Sequence, residues 1–209
     1  MSELANTSLV YLFPTPFLHH IWADSEELNK ELRSLIMARE RANPGVAKTN
    51  IGGWHSEAGN LEWCGTAGLK LIRRMFEAAN HATYQLMTNF GRPMPEFNWT
   101  LQAWANVSRT GAFNKTHTHA GATWSGTYYV DPGEPPPEAE DGTPLLLMDS
   151  DQGRANTFFP TLVPMTAFIK PEPGLMVLSP SYLPHMVFAH QGKRPRISIA
   201  FNLRKEPFP

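Results

Sequence analysis

Gly111-Ala-Phe-Asn-Lys-Thr-His117-Thr-His119 is the stretch from which the rest of the chain is read. In an extended segment, side chains at i and i+2 project from the same face. His117 and His119 can therefore meet at one point, and two imidazoles so placed suit a metal ion. A third histidine stands in Gly174-Leu-Met-Val-Leu-Ser-Pro180-Ser-Tyr-Leu-Pro-His185. Three imidazoles on one face hold a transition metal and leave positions open for other ligands. Taken alone, His185 reads equally as an ordinary core or surface histidine. His19, His20, His55, His81 and His190 lack comparable context and read as non-ligands.

Around these histidines the apolar period is two. Phe97, Trp99, Leu101, Ala103, Ala105 and Val107 alternate with mostly polar neighbours, a strand signature. Short strand-like runs follow at 124–130, 145–148, 165–170, 175–179, 186–190 and 196–203, separated by turn-rich segments. The longest connections are the acidic, proline-rich 131–142 and the stretch 149–164. Upstream the period is helical. Asp24 followed by Glu27 signals a helix start, Leu28, Leu32, Leu35 and Ile36 form a stripe, and Asn43-Pro44-Gly45 ends it. A second helix is expected from Thr66 to Phe90, with Leu69, Ile72, Phe76, Ala79, Leu86 and Phe90 as its buried face and Gly91 and Pro93 at its stop. A short opening strand is expected at 9–13, and 50–56 reads as a Gly-rich loop carrying Trp54 and His55. The sum is an α+β chain, mainly β: a sandwich or barrel with two N-terminal helices packed on the outside. It reads as a single domain over 1–209, helical at about 20–92 and barrel at about 97–205.

The bulk numbers narrow the class. With 42% apolar and 18% charged residues the chain is globular and has the length to bury a sizeable core. A net charge of -1 gives no reason to expect nucleic acid or a membrane surface as partner. One cysteine, Cys64, leaves no internal disulfide, reads as a small buried hydrophobe and is compatible with a reducing cytoplasm. No signal peptide or membrane-spanning run is visible, so a cytoplasmic protein is expected.

Gly111, five residues, His117, one residue, His119 resembles the first half of the cupin motif. Gly174, five residues, Pro180, then His185 resembles the second half, with Tyr182 in place of a glycine. The glutamate that many cupins carry four or five residues after the second histidine is absent, since Thr123 and Trp124 stand there. The resemblance is closer to the iron(II)- and 2-oxoglutarate-dependent oxygenases, and within them to a small bacterial and phage branch. It is carried by Leu12-Phe13-Pro14-Thr15-Pro16, Gly52-Gly53-Trp54-His55-Ser56, Trp104-Ala105-Asn106, Ser125-Gly126-Thr127-Tyr128-Tyr129-Val130 and Arg196-Ile197-Ser198-Ile199-Ala200-Phe201-Asn202. It implies a double-stranded β-helix (a cupin-like jelly roll), Fe(II) and 2-oxoglutarate as cofactors, and oxidation of a small molecule or side chain by dioxygen. His117 and His185 match the two histidines of the superfamily triad, while His119 stands where a carboxylate is usual. Asp131 and Asp149 are the acidic alternatives for that third ligand.

Arg196 lies eleven residues after His185 and shares a strand face with Ser198, Ala200 and Asn202, opposite Ile197, Ile199, Phe201 and Leu203. A guanidinium turned into a barrel is costly unless an anion meets it, and a carboxylate suits its two parallel donors. The resemblance implies that this anion is the far carboxylate of 2-oxoglutarate, with Ser198 as a further donor. The alternative is a salt bridge at the barrel rim. Thr127, on one face with Ser125 and Tyr129, and Asn114, three before His117, are expected to line the same pocket, although Asn114 reads equally as a turn residue. Trp54 and His55 are expected to contact the substrate. Two other classes stay open: a three-histidine cupin dioxygenase that does not use 2-oxoglutarate, and a non-catalytic metal-binding module. A homodimer would not be surprising.

Overall fold

The computed structural model of the protein describes residues 14–134, 142–151 and 165–207. The opening strand expected at 9–13 lies outside them. The described elements run in the order β1 Leu18–Ile21, α1 Glu26–Ala42, β2 Asn50–Ile51, β3 Trp54–His55, α2 Gly65–Asn89, β4 Phe97–Ser108, β5 Phe113–His117, β6 Trp124–Asp131, β7 Leu145–Met148, β8 Thr166–Ile169, β9 Leu175–Pro180, β10 His185–Val187 and β11 Arg196–Pro207. A 3₁₀ turn, Glu62–Cys64, leads into α2. One sheet has the order β1-β9-β6-β11-β4-β3 and the other β2-β5-β10-β7-β8, with every pairing antiparallel. This is the double-stranded β-helix, with both helices on the outer face of the larger sheet.

The alternation along β4 and β11 builds that arrangement. The two strands pair over their whole length, from Arg196 opposite Ser108 to Pro207 opposite Phe97. On the outer face Ala103, Ala105, Val107, Ile197, Ile199, Phe201 and Leu203 are buried against Leu32 and Ile36 of α1 and Leu71 and Met75 of α2. Burying a Leu, Ile or Phe side chain stabilises by about 1.5–3 kcal/mol, so this layer is the main store of stability. Gly126 is required there. A Cβ at that position would fall 2.4 Å from the Phe201 ring and 2.7 Å from the Val177 carbonyl oxygen. The inner face of the same sheet packs through Tyr129, Leu175 and Val177 against Leu145 and Leu147 of the smaller sheet. Beside this layer a cavity opens between the sheets.

Several local expectations shift. Helix α1 is preceded by Ser25, not Asp24. Asp24 instead binds Arg74 of α2 at 2.5 Å, and the Arg74 guanidinium stacks 4.6 Å from the centre of the Trp22 ring. A buried arginine in the middle of α2 thus claims the acidic residue that would have capped α1. In α2 the buried face is Ala67, Gly68, Leu71, Met75, Ala78 and Ala79, while Leu69 and Phe90 are 57% and 62% exposed. Small residues let the helix approach the sheet closely, so the larger side chains mark its flanks. The Gly-rich loop forms two short strands, β2 joining the smaller sheet and β3 the larger one. Gly52, at φ +70°, makes the crossing between them. The strand expected at 186–190 is shorter, and His190 leaves it to sit buried between the Thr143 hydroxyl and the Arg194 carbonyl. Cys64 is fully buried, as expected, and burial pushes its thiol up to about 12. Among the described residues no helix is long and apolar enough to cross a membrane.

Candidate metal centre

Strand register brings the three histidines together. β10 pairs with β5 so that His185 lies directly opposite His117. His119 follows two residues beyond His117, where its backbone N–H is held by the Ser181 carbonyl at 2.9 Å. The ring centroids are 4.4 Å apart for His117 and His185, 4.9 Å for His117 and His119, and 5.0 Å for His119 and His185. One ring nitrogen from each lies within 4.8 Å of the other two, and no carboxylate among the described residues joins the group. Asp131 is excluded as a ligand by the register. It pairs with Ile197 toward the other end of β11, and its carboxylate is held by Arg33 and Arg194.

The backbone decides which nitrogens are free. His117 Nδ1 is 2.7 Å from the Lys115 carbonyl oxygen and His185 Nδ1 is 2.9 Å from that of Leu183. A carbonyl oxygen only accepts, so both rings donate from Nδ1 and keep Nε2 as a lone-pair donor. The third ring has a side-chain partner instead, with Asn202 Nδ2 3.3 Å from His119 Nδ1. Burial, reinforced by the charges its two neighbours would carry, drives His119 from the usual 6.5 to about 3. Burial likewise takes His185 to about 4 and lowers His117. At neutral pH the cluster is three uncharged imidazoles, the state a metal requires.

The same shifts give a stability prediction. The folded-state values lie below the unfolded value, so between them the unfolded chain binds more protons and stability rises with pH. For the metal-free protein that contribution is complete above about pH 6.5 and is lost as pH falls through the folded values. The melting temperature of the metal-free protein should therefore decline between pH 6.5 and 5, above the range where carboxylates titrate. A flat profile across that interval would contradict buried neutral imidazoles.

A cavity of about 340 Å³ opens beside the cluster. Asn114, Thr127 and His55 line it, whereas Arg196 and Ser198 are not among its lining residues. His55 turns Nδ1 to the Ser56 carbonyl and stacks on Trp104, ring centroids 5.5 Å apart, and burial keeps it neutral. Trp54, expected beside it at the substrate, is corrected. Neighbouring residues on a strand face opposite ways, and Trp54 turns outward to donate its indole N–H to the Asn43 carbonyl at 2.8 Å and pack on the helical core. The sequence reading missed Gln102, Trp104 and Asn106, which line the cavity from β4. They stand between the apolar positions of β4, so its alternation could have placed them together on one face.

Arg196 and Ser198 share a strand face with the cavity residue Ala200 and lie further along β11. Arg196 is 2% exposed. Its Nη1 donates to Ser198 Oγ at 3.2 Å, its guanidinium lies 5.2 Å from the Tyr129 ring centre, and its Nε has no partner. No carboxylate among the described residues pairs with it, so the expectation of a rim salt bridge is not met. A buried cation facing the barrel interior without an anion is the arrangement that fits an anionic ligand.

A family model described as "Putative 2OG-Fe(II) oxygenase" matches residues 102–202, the segment that holds the three clustered histidines, Arg196 and Ser198. No curated protein matches the chain. Among solved structures the chain is similar to a prolyl-4-hydroxylase from Pseudomonas putida, at 17% identity and a TM-score of 0.65 over 92% of this chain and 94% of that one. It is similar to HygX from Streptomyces hygroscopicus, with nickel and 2-oxoglutarate bound, at 10% identity and a TM-score of 0.60 over 91% and 83%. A prolyl hydroxylase from Trichoplax adhaerens, in complex with a hypoxia inducible factor oxygen degradation domain peptide fragment, aligns at 14% identity and a TM-score of 0.58 over 90% and 83%. At these identities the structural likeness speaks for the fold alone. Residues 102–202 thus match a family of iron(II)- and 2-oxoglutarate-dependent oxygenases, and the chain has the fold that these solved structures share.

Proposed function

We propose that the protein is a dioxygenase that hydroxylates, or otherwise oxidises, a small molecule or an amino-acid side chain, with His117, His119 and His185 holding ferrous iron. The observation that carries this reading is the convergence of three imidazoles, ligand atoms within 4.8 Å of one another, at the wall of a cavity of about 340 Å³. When bound, iron and 2-oxoglutarate supply dioxygen activation: one oxygen atom converts the oxo acid to succinate and carbon dioxide, and the other enters the substrate. Arg196 holds the distal carboxylate of 2-oxoglutarate through charge-assisted hydrogen bonds, with Ser198 orienting the guanidinium. Asn114 and Thr127 line the cavity beside the imidazoles, and Trp104 excludes water there. His55, with Nδ1 engaged, presents Nε2 as an acceptor to a substrate hydroxyl or amide.

The test is anaerobic. Metal-free protein loaded with iron(II) should develop a weak visible charge-transfer band on addition of 2-oxoglutarate, and admission of air with a turned-over substrate should release succinate. The all-imidazole set leaves one more positive charge at the metal than a carboxylate-containing triad would, which favours anionic chelators. Iron bound without any band would defeat the 2-oxoglutarate reading and favour a three-histidine dioxygenase that attacks its substrate directly.

A further inference from the structure

We propose that Asn202 fixes the proton of His119, its side-chain carbonyl accepting from Nδ1–H so that Nε2 is left free for the metal; the inference rests on the metal-centre reading above. His117 and His185 have their tautomers set by backbone carbonyls, at 2.7 and 2.9 Å. His119 has only the Asn202 amide, 3.3 Å from Nδ1. An amide can offer that nitrogen a donor or an acceptor, because a half-turn of its last torsion exchanges the oxygen and the NH2. With Nδ2 toward the ring, Nδ1 accepts and the proton of a neutral imidazole sits on Nε2. The ring could then not bind a metal through Nε2, the nitrogen that its two neighbours leave free. The same orientation leaves Asn202 Oδ1 buried without a partner.

The opposite orientation resolves both conflicts. Oδ1 meets Nδ1–H, the orphaned acceptor is satisfied, and Nε2 gains its lone pair. The NH2 then turns toward the neighbours on its strand face. Gln102 on β4 and Ser125 on β6 stand directly opposite Asn202 in the ladder, and each carries an oxygen able to accept. The position is also a stiff one. Asn202 lies in the interior of β11, hydrogen-bonded to a strand on each side, so the acceptor is set by the sheet and not by a loop. Asn202 is thus a positioning residue. Its amide orients the one histidine that lacks a backbone carbonyl, and it does so without adding charge to an all-imidazole site.

Metal affinity reads this directly and needs no substrate. Metal-free wild type, Asn202→Leu, Asn202→Asp and His119→Ala would be titrated with cobalt(II) against a chromophoric chelator, and anaerobically with iron(II). Asn202→Leu removes the acceptor and should bind either ion about 10- to 100-fold more weakly, the usual consequence of losing an outer partner of a ligand histidine. Asn202→Asp, of nearly the same shape, keeps an acceptor and should bind at least as tightly as wild type. That variant also separates the claim from misfolding, since a role in packing alone would be served equally by leucine. Wild-type affinity in Asn202→Leu, with His119→Ala weak, would overturn the role of Asn202 and leave the metal centre intact. Asn202→Asp as weak as Asn202→Leu would show that the amide donates to His119, which equally overturns it. Wild-type affinity in His119→Ala would bring down the metal-centre reading as well.

Discussion

Changing His185 to alanine is expected to abolish ferrous-ion binding at micromolar protein, with a loss greater than the roughly 100-fold that follows removal of an outer-shell partner. The expectation follows from register. His185 is paired directly with His117 across β10 and β5, and with Leu147 on its other side, so no neighbouring side chain is placed to substitute for it. Two imidazoles would remain on one segment, with no carboxylate among the described residues to complete a facial set. The fold should survive. His185 belongs to neither buried apolar cluster, and removing a group whose protonation is suppressed to about 4 relieves part of the acid sensitivity of the metal-free protein. Anaerobic titration followed by inductively coupled plasma analysis of the desalted protein checks the binding. Thermal melts of the metal-free variant at pH 5 and 7 check the second effect, which should appear as a smaller difference between the two temperatures than in wild type. His55→Ala is the control. His55 lines the same cavity but is outside the cluster, so its loss should leave metal affinity near the wild-type value.

The features that were legible in the sequence are those where one periodicity acts on long, regular elements. The alternation of Ile197, Ile199, Phe201 and Leu203 against Arg196, Ser198, Ala200 and Asn202 assigned both faces of β11, and the structure puts the first set in the helical core. The His-x-His pair stands apart from this, since β5 ends at His117 and His119 lies two residues beyond the strand. Failures cluster where side chains are small, segments short or tertiary partners decisive. The buried face of α2 is made largely of alanine and glycine, which carry little hydrophobic weight, so the reading followed Leu69 and Phe90 onto the exposed side. Strand β1 has an intermediate-to-exposed pattern with no alternation to detect, and β5 carries exposed Lys115 and Thr116. Asp24 met every local requirement of a cap, yet a buried arginine some fifty residues later claimed it. Trp54 and His55 were taken together because they are adjacent, although adjacency on a strand means opposite faces. Asn202 was placed on the inner face, but nothing in the sequence said that its amide would meet His119.

Replacing Arg196 with methionine should change co-substrate binding and stability in opposite directions. The guanidinium is 2% exposed, stays protonated despite the lowering that burial imposes, and has no acid among the described residues to offset its desolvation. In the metal-free, ligand-free protein that charge is a net cost, left with the Ser198 hydroxyl and the face of Tyr129 as partners. An unbranched apolar side chain of similar length removes the cost, so the variant should be more stable by about 1–2 kcal/mol. For a chain of this size that is a few degrees in melting temperature. The affinity for 2-oxoglutarate should fall about 100-fold, since losing one partner of a buried charge pair costs on the order of 3 kcal/mol. Metal affinity should not move, because Arg196 is not among the clustered ligands. Ligand-induced stabilisation separates the two effects within one instrument. Added 2-oxoglutarate should raise the melting temperature of the metal-loaded wild type by mass action and leave the variant nearly unchanged. Arg196→Lys refines the argument. Lysine keeps the charge but not the planar pair of donors, so it should bind the co-substrate with intermediate affinity and gain none of the stability. A methionine variant that binds 2-oxoglutarate as wild type does would mean that the anion meeting this arginine is not the co-substrate carboxylate. A variant less stable than wild type without ligand would mean that the guanidinium stabilises the barrel through contacts whose benefit exceeds its desolvation.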